Sequence, residues 1–399
     1  MLVAAVGLSA SANSQVAQAI SAPPGHYNVL FIAPGGTGAG INNFGQVLLG
    51  FGNENIGSAV SLWTPTVANS GSSGNLVSVS GPLTYMVAGG VNDCGQVTFG
   101  PDSQFNGGVT PYLWSPDTPN GSAGTARQFL DDIDSGPYGF WVYPQTLRIN
   151  AFGQISGQIY FMGPQHPTQF LWTPFQANGS RGTSNTDPRL MGIVAINDFG
   201  QAIVSGGVLY GSELTASLFT PSIANGGSGT FTSIPGLPGA ATTSLADING
   251  IGTIVGWSCP NFGSGNQCQT FVWVPTSPNS PSGTTAGIPI PTGFSAMVPA
   301  AINSLGDIVG TLADVGGGNS PFLYTGGAVY DLSALSNQLV GATPTGINDA
   351  GQIAVNTAGG AYLLTPGRST GEPGPGQWSF ATPPERILSR AFCRETGLR

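Results

Sequence analysis

The chain reads as an all-β, seven-bladed β-propeller with four antiparallel strands per blade and an N-terminal strand that closes the last blade. Three observations predict it. First, the pattern I-N-x-x-G recurs at Asn42, Asn92, Asn150, Asn197, Asn249, Asn303 and Asn348, at separations from 45 to 58 residues. A period near fifty residues marks radial or solenoid repeats, whose units bury their faces only against neighbours. Second, hydrophobic residues reach 40% yet fall in short runs between turns built from the 63 Gly and 32 Pro. Such a composition without the apolar runs would read as disorder; with them it reads as many short strands. Third, the final repeat lacks a fourth strand, while the N-terminus holds one strand with no repeat of its own.

Each repeat supplies its strands in the same order. The first precedes the motif, as in LTYMVAGGVN and AMVPAAIN; the second follows the glycine, as in GQVLLG and GDIVGT. Between them, Asn accepts hydrogen bonds from the backbone two residues on, and Gly supplies a positive φ to end the hairpin loop. Asn42, Asn43, Asp93, Asp198 and Asp349 would be the oxygen donors of a calcium loop, but calcium takes six or more oxygens and most copies offer at most one carboxylate. The turn reading is therefore preferred, and no metal or cofactor is expected. The third strand carries Trp63, Trp114, Trp172, Phe219, Trp273, Tyr324 and Leu364 at equivalent places, which suits packing between blades. The fourth follows a polar loop of Asn, Gly and Ser, as in TFTSIPGL and AVYDLSAL.

Closure follows from the leftover strand. HYNVLFIA, residues 26–33, is expected to pair with the YLLTP strand near Leu363, which removes two open sheet edges. The propeller then spans 26–366. Residues 1–19 hold an apolar stretch ending in A-x-A at Ala17 to Ala19, the pattern of a secretory signal without its basic leader, and predict export. Cys259 and Cys268 flank a loop between two strand patterns and are expected to form a disulfide, consistent with export. Residues 367–399 read as a linker and an Arg-rich tail.

The I-N-x-x-G-Q units, with their following aromatic L-W-T-P runs, resemble the HAF family of bacterial extracellular repeats. That consensus joins I-N-x-x-G-Q-[IV]-V-G to a following A-F-L-W. The resemblance covers about residues 40–366. It implies a secreted bacterial protein and no defined catalytic activity, so it transfers no active-site residue.

Composition narrows the partners. Net charge is −9; there is no lysine, and five of the nine arginines lie in the last 32 positions. A repeat region so poor in cations cannot neutralise a phosphate backbone, so no nucleic-acid partner is expected. No run of eighteen apolar residues predicts a membrane span. Nucleophile elbows, zinc-protease signatures and P-loops are absent from the sequence. What remains is the face made by second-to-third loops and blade crossovers. It carries Glu54, Asp102, His166, Glu213 and Asp314, and the crossover DDIDSGPYGFWVYP with Asp131, Asp132, Asp134, Tyr138, Phe140, Trp141 and Tyr143. Carboxylates beside exposed aromatics suit sugar rings, which makes a polysaccharide or cell-surface glycan the favoured ligand; the plainer alternative is a solvated acidic loop whose aromatics pack on the blades. Two such carboxylates also suit a glycoside hydrolase or lyase, and a non-catalytic structural surface protein is the third reading. Finally, the residue before each I-N pair is small in five blades but is Arg148 and Asp247 in the others, which marks both as candidate ligand-binding residues.

Overall fold

The computed structural model describes residues 20–367, apart from 53–58, 80, 82–85, 102–109, 131–139, 162–167, 206, 210–211, 215 and 261–267, together with Cys393. Seven four-stranded antiparallel sheets form a ring. Blades 1 to 3 take the twelve strands between Thr37 and Asn185 in sequence order, four to a blade. Blade 4 takes β14 (Ile193–Ile196), β15 (Ala202–Val204), β18 (Ser217–Pro221) and β19 (Gly229–Ser233), and adds a separate hairpin, β16 (Gly207–Leu209) with β17 (Ser212–Leu214). Blades 5 and 6 take the eight strands between Thr242 and Asp331, and blade 7 takes β28 (Thr343–Ile347), β29 (Ile353–Thr357) and β30 (Gly360–Pro366).

The fourth strand of blade 7 is β1 (Tyr27–Pro34), paired antiparallel with β30 so that Leu30 faces Leu363 and Tyr27 faces Pro366. The expected closure is therefore the observed one, and it unites chain segments some three hundred residues apart and covers the edge of β30. Ahead of it, Ser21 bridges Tyr330 in parallel and accepts from the Asp331 amide, so the entering chain also touches the outer strand of blade 6.

Packing between blades is what the aromatic third strands provide. Trp63, Trp114, Trp172, Phe219 and Trp273 are all at most 4% exposed. Trp63 shares a cluster with Ala354 and Leu363 of blade 7, and Trp114 one with Leu48 and Leu62 of blade 1. Burial of each large ring fills the gap to the preceding blade, so no blade has a complete core of its own.

The aromatic ring also explains a glycine that opens the fourth strand. A Cβ on Gly74, Gly124, Gly182 or Gly283 would lie 2.4 to 2.6 Å from the Trp of its own blade. In blade 6, where Tyr324 replaces Trp, the fourth strand opens one place later, on Ala328 opposite Thr325, as Asn75 stands opposite Thr64 in blade 1. Among described residues the innermost strands share a second feature: in every blade the register shifts just before the I-N pair, for example between Gly38 and Gly40 and between Leu245 and Asp247. Such bulges bend a strand and turn backbone groups out of the ladder, here toward the next blade.

Gly182→Ala should destabilise the fold by about 1–3 kcal/mol through overpacking on Trp172 and the Thr173 carbonyl. Gly227→Ala, where the nearest atom is 3.8 Å from the new methyl, should be close to neutral. Denaturant unfolding of both variants checks the contrast.

Candidate functional site

The seven I-N-x-x-G turns converge at one end of the axis. The first three residues of each motif line a central cavity of about 160 Å³, from Ile41, Asn42 and Asn43 round to Ile347, Asn348 and Asp349. The turn chemistry is as the sequence predicts. Every motif glycine has positive φ, from 75° at Gly351 to 91° at Gly45. Asn42 Oδ1 accepts from the amides of Phe44 and Gln46. The asparagines do more than close turns, however.

Each asparagine amide nitrogen donates to the backbone oxygen of the corresponding asparagine in the next blade. Asn42 donates to Asn92, Asn92 to Asn150, Asn150 to Asn197 and Asn197 to Asn249, at 2.8 to 3.1 Å. Asn249 then donates to Asn303, Asn303 to Asn348 and Asn348 back to Asn42, at 3.0 to 3.1 Å. Seven bonds thus close a ring around the axis, and all seven side chains are at most 5% exposed.

A second tier braces this ring. In blades 1 to 4 and 7 the residue after the glycine is a buried glutamine, Gln46, Gln96, Gln154, Gln201 and Gln352. Its oxygen accepts from the asparagine amide, and its nitrogen donates to a third-strand hydroxyl, Thr64, Ser115, Thr173, Thr220 or Thr365. Asn69, Asn120, Asn178, Asn225 and Asn279, in the loops between third and fourth strands, take φ of 57° to 59° and receive further bonds from the preceding blade. The asparagine amide therefore serves three acceptors with two hydrogens, so one bond is shared.

Asp93, Asp198 and Asp349 border the cavity from blades 2, 4 and 7. Each accepts from the backbone N–H of the preceding blade: Asn43, Ala151 and Ser304 respectively. Among the described residues they do not come together as a metal-binding group. Here the sequence reading needs extension: the residues weighed as calcium donors and assigned to turns are turn residues, yet they also form a single polar chamber.

Arg148 and Asp247 stand one residue before the cavity-lining triplets of blades 3 and 5. Both turn toward the next blade. Arg148 Nε donates to the Val194 carbonyl, which the bulge of blade 4 frees, and Nη1 donates to the carbonyls of Gln145 and Leu147. Asp247 accepts from the amides of Ile248 and Ile302. Elsewhere this place is small, and in blade 7 packing requires it: a Cβ on Gly346 would lie 3.0 Å from Ile41 of the next blade. The two charged side chains replace close packing with hydrogen bonds across the seam. Burial pushes the Asp247 carboxyl up to about 6, against the pull of its two amide donors and the Arg148 charge. Burial lowers the Arg148 guanidinium, and the Asp247 charge opposes it.

Of the other sequence-predicted ligand residues, Phe140, Trp141, Tyr143, Glu213 and Asp314 lie away from the I-N turns. Asp131, Asp132, Asp134, Tyr138 and His166 lie outside the described residues, as do Glu54 and Asp102. Phe140, Trp141 and Tyr143 lie on β10 (Phe140–Ile149), at ten residues the longest of the described strands. Glu213 lies on β17, in the added hairpin of the neighbouring blade. Asp314 ends the second strand of blade 6 and accepts from the Gly318 amide.

Both cysteine pairs are oxidised. Cys259–Cys268 closes the expected hairpin loop. Cys94–Cys393, with a Cα separation of 5.3 Å, joins the motif turn of blade 2 to the tail. Sequence reasoning left these two thiols unassigned, since a separation of 299 residues gives no local signal. Among the described residues no helix is long and apolar enough to cross a membrane. No protein-family model matches the chain, and no curated protein is similar to it.

Asn197→Ala should cost about 2–4 kcal/mol, because it strands the Asn249 carbonyl, the Gln201 side chain and two turn amides at once. Asn197→Asp, nearly isosteric, should be no better, since it turns an oxygen toward three acceptors. Chemical denaturation of the two variants tests both statements. Asp247 binds its proton more tightly when folded than unfolded, so its contribution to stability is present below about pH 4 and lost as pH rises through 6. Relative to Asp247→Ala, the wild type should lose on the order of 2–3 kcal/mol between pH 4 and 7. Thermal or urea unfolding of the pair across that range reads the slope.

Proposed function

We propose that this chain is a non-catalytic, exported binding module that holds glycans on the crossover face of blades 3 and 4. The resemblance to HAF-type extracellular repeats supports export, and so does the pairing of all four cysteines in disulfides, which persist in oxidising compartments. The observation that carries the ligand face is the elaboration of two adjacent blades at the same end. Blade 3 extends its inner strand through Phe140, Trp141 and Tyr143, and blade 4 inserts a hairpin bearing Glu213. Aromatic faces beside acceptors suit a sugar ring and its hydroxyls. The chamber at the opposite end, about 160 Å³, falls below the 300 Å³ or more of an ordinary ligand pocket and is too small for a polysaccharide segment.

The test is a glycan array run beside a reducing-sugar assay on the same polysaccharides. Trp141→Ala should abolish retention on the array while leaving the melting temperature unchanged, with no sugar released by either protein. Sugar release lost on replacing an acidic residue of this face would establish a glycosidase instead. Silence in both assays would favour a purely structural role.

A further inference from the structure

We propose that the outward edge of β1 is a self-association surface, on which a second copy of this chain adds its own β1 antiparallel across a two-fold axis at Val29. The proposal concerns the rim of blade 7 and does not depend on the glycan reading.

The ladder fixes which backbone groups are free. Among the described residues β1 pairs with β30 alone, which makes β1 the rim strand of its blade. The Gly367 amide donates to the His26 carbonyl, one step beyond the Tyr27–Pro366 pair. Bonded and non-bonded pairs alternate along an antiparallel ladder. Asn28 and Leu30 therefore bond to Thr365 and Leu363, while Tyr27, Val29 and Phe31 turn their N–H and C=O groups outward. The register shift after Phe31 ends this regular edge. Three outward residues centred on Val29 are self-complementary. An antiparallel copy sets Val29 opposite Val29, with Tyr27 opposite Phe31 on either side.

Composition selects this edge among the blades. The outer strands of blades 1 to 6 run only four or five residues, five of them open on Gly, and two carry Arg127 or Asp331. Short strands and charges blunt an edge. By contrast β1 runs eight residues, and Val29, Leu30, Phe31 and Ile32 are all at least partly exposed on it. Phe31 is 46% exposed and rests on Tyr362, with ring centroids 4.9 Å apart. No Asp, Glu, Lys or Arg lies between Ile20 and Asn53, in a chain of net charge −9. Two acidic molecules can therefore meet here without opposing like charges at the contact. A basic partner would find no carboxylate on this edge, whereas a second copy finds a matching apolar strand.

Sedimentation equilibrium of the full-length oxidised protein tests the pairing, with Phe31→Lys and Leu76→Lys run beside the wild type. Leu76, on the outer strand of blade 1, is 47% exposed and is the matched control. The wild type should show a reversible monomer–dimer equilibrium. Phe31→Lys should raise the dimer Kd roughly tenfold or more, because the two-fold axis removes the ring twice and adds two charges. Leu76→Lys should leave the Kd unchanged. Residue-resolved hydrogen exchange of the wild type gives a readout that no folding defect in a variant can confuse. The Val29 and Phe31 amides should exchange more slowly as protein concentration rises, while Asn28 and Leu30 stay protected throughout. Equal weakening of the dimer by Phe31→Lys and Leu76→Lys would overturn the proposal. So would a wild type that stays monomeric to about 100 µM with concentration-independent exchange at Val29 and Phe31, which would leave the edge to an extended segment of another protein.

Discussion

The ring of seven asparagine amides is the interaction on which the rest of the structure depends. A propeller blade cannot bury its own faces, so the fold requires that neighbours be held at a fixed angle around the axis. Apolar packing of Trp63, Trp114 and their equivalents supplies attraction but little angular information, because it is non-directional. A hydrogen bond from a buried amide to a single backbone oxygen is directional, and leaving its partners unmet is costly. Each asparagine places one side chain between two blades: its oxygen shapes its own turn and its nitrogen finds the next one. The bond from Asn348 back to Asn42 can form only when the count of blades and the closing strand β1 are both correct. Local turn geometry and global closure are thereby satisfied by the same atoms, the agreement across levels that favours a single native state.

The second tier shows how closely the sequence follows this logic. The motif glutamine occurs in the five blades whose next neighbour carries a left-handed loop asparagine. It is absent from blade 5, where Thr253 takes its place, and from blade 6, where Asp307 does. The blades that follow these two have no such asparagine: blade 6 turns through Gly326 and Gly327, and blade 7 is completed by the N-terminal strand. In blade 5 the hydroxyl partner is missing as well, with Val274 where Thr64 or Ser115 stands elsewhere. The glutamine donor and its asparagine acceptor are gained or lost together in every blade, although blade 6 keeps a hydroxyl at Thr325, as expected if an unpaired buried amide costs more than the bond yields.

Much of the fold was legible because it depends on local chemistry. Asn and Gly at fixed offsets give the turn, aromatic runs give the third strand, and a surplus strand at one end with a deficit at the other gives the closure. The glutamine–asparagine correspondence was also present in the sequence, but it links residues of different repeats, Gln46 with Asn120 for instance, and becomes visible only once blades are set side by side. The bulge before each I-N pair was not legible, since it adds one residue without changing the apolar pattern. That bulge is what gives Arg148 its carbonyl partner, so the two charges that looked like ligand groups have structural partners that no sequence pattern announced. Cys94 was hidden in another way: its neighbours in the repeat are Phe44, Ala350 and other apolar residues, and its partner lies beyond the last blade.

The two ends of the ring are built under different constraints. At the turn end, seven copies must match one another to within hydrogen-bonding tolerance, so the asparagine and the glycine are constant while the chamber-lining residue after each asparagine varies: Asn43, Asp93, Ala151, Asp198, Gly250, Ser304 and Asp349. At the crossover end nothing forces the blades to agree, so blade 3 can lengthen its strands and blade 4 can insert a hairpin without disturbing closure. A rigid end that sets geometry and a free end that accepts insertions is the arrangement that lets loops carry recognition on a fixed scaffold. On the proposed reading recognition falls where the repeat is least regular, while the regular end holds the chamber that sevenfold closure leaves on the axis.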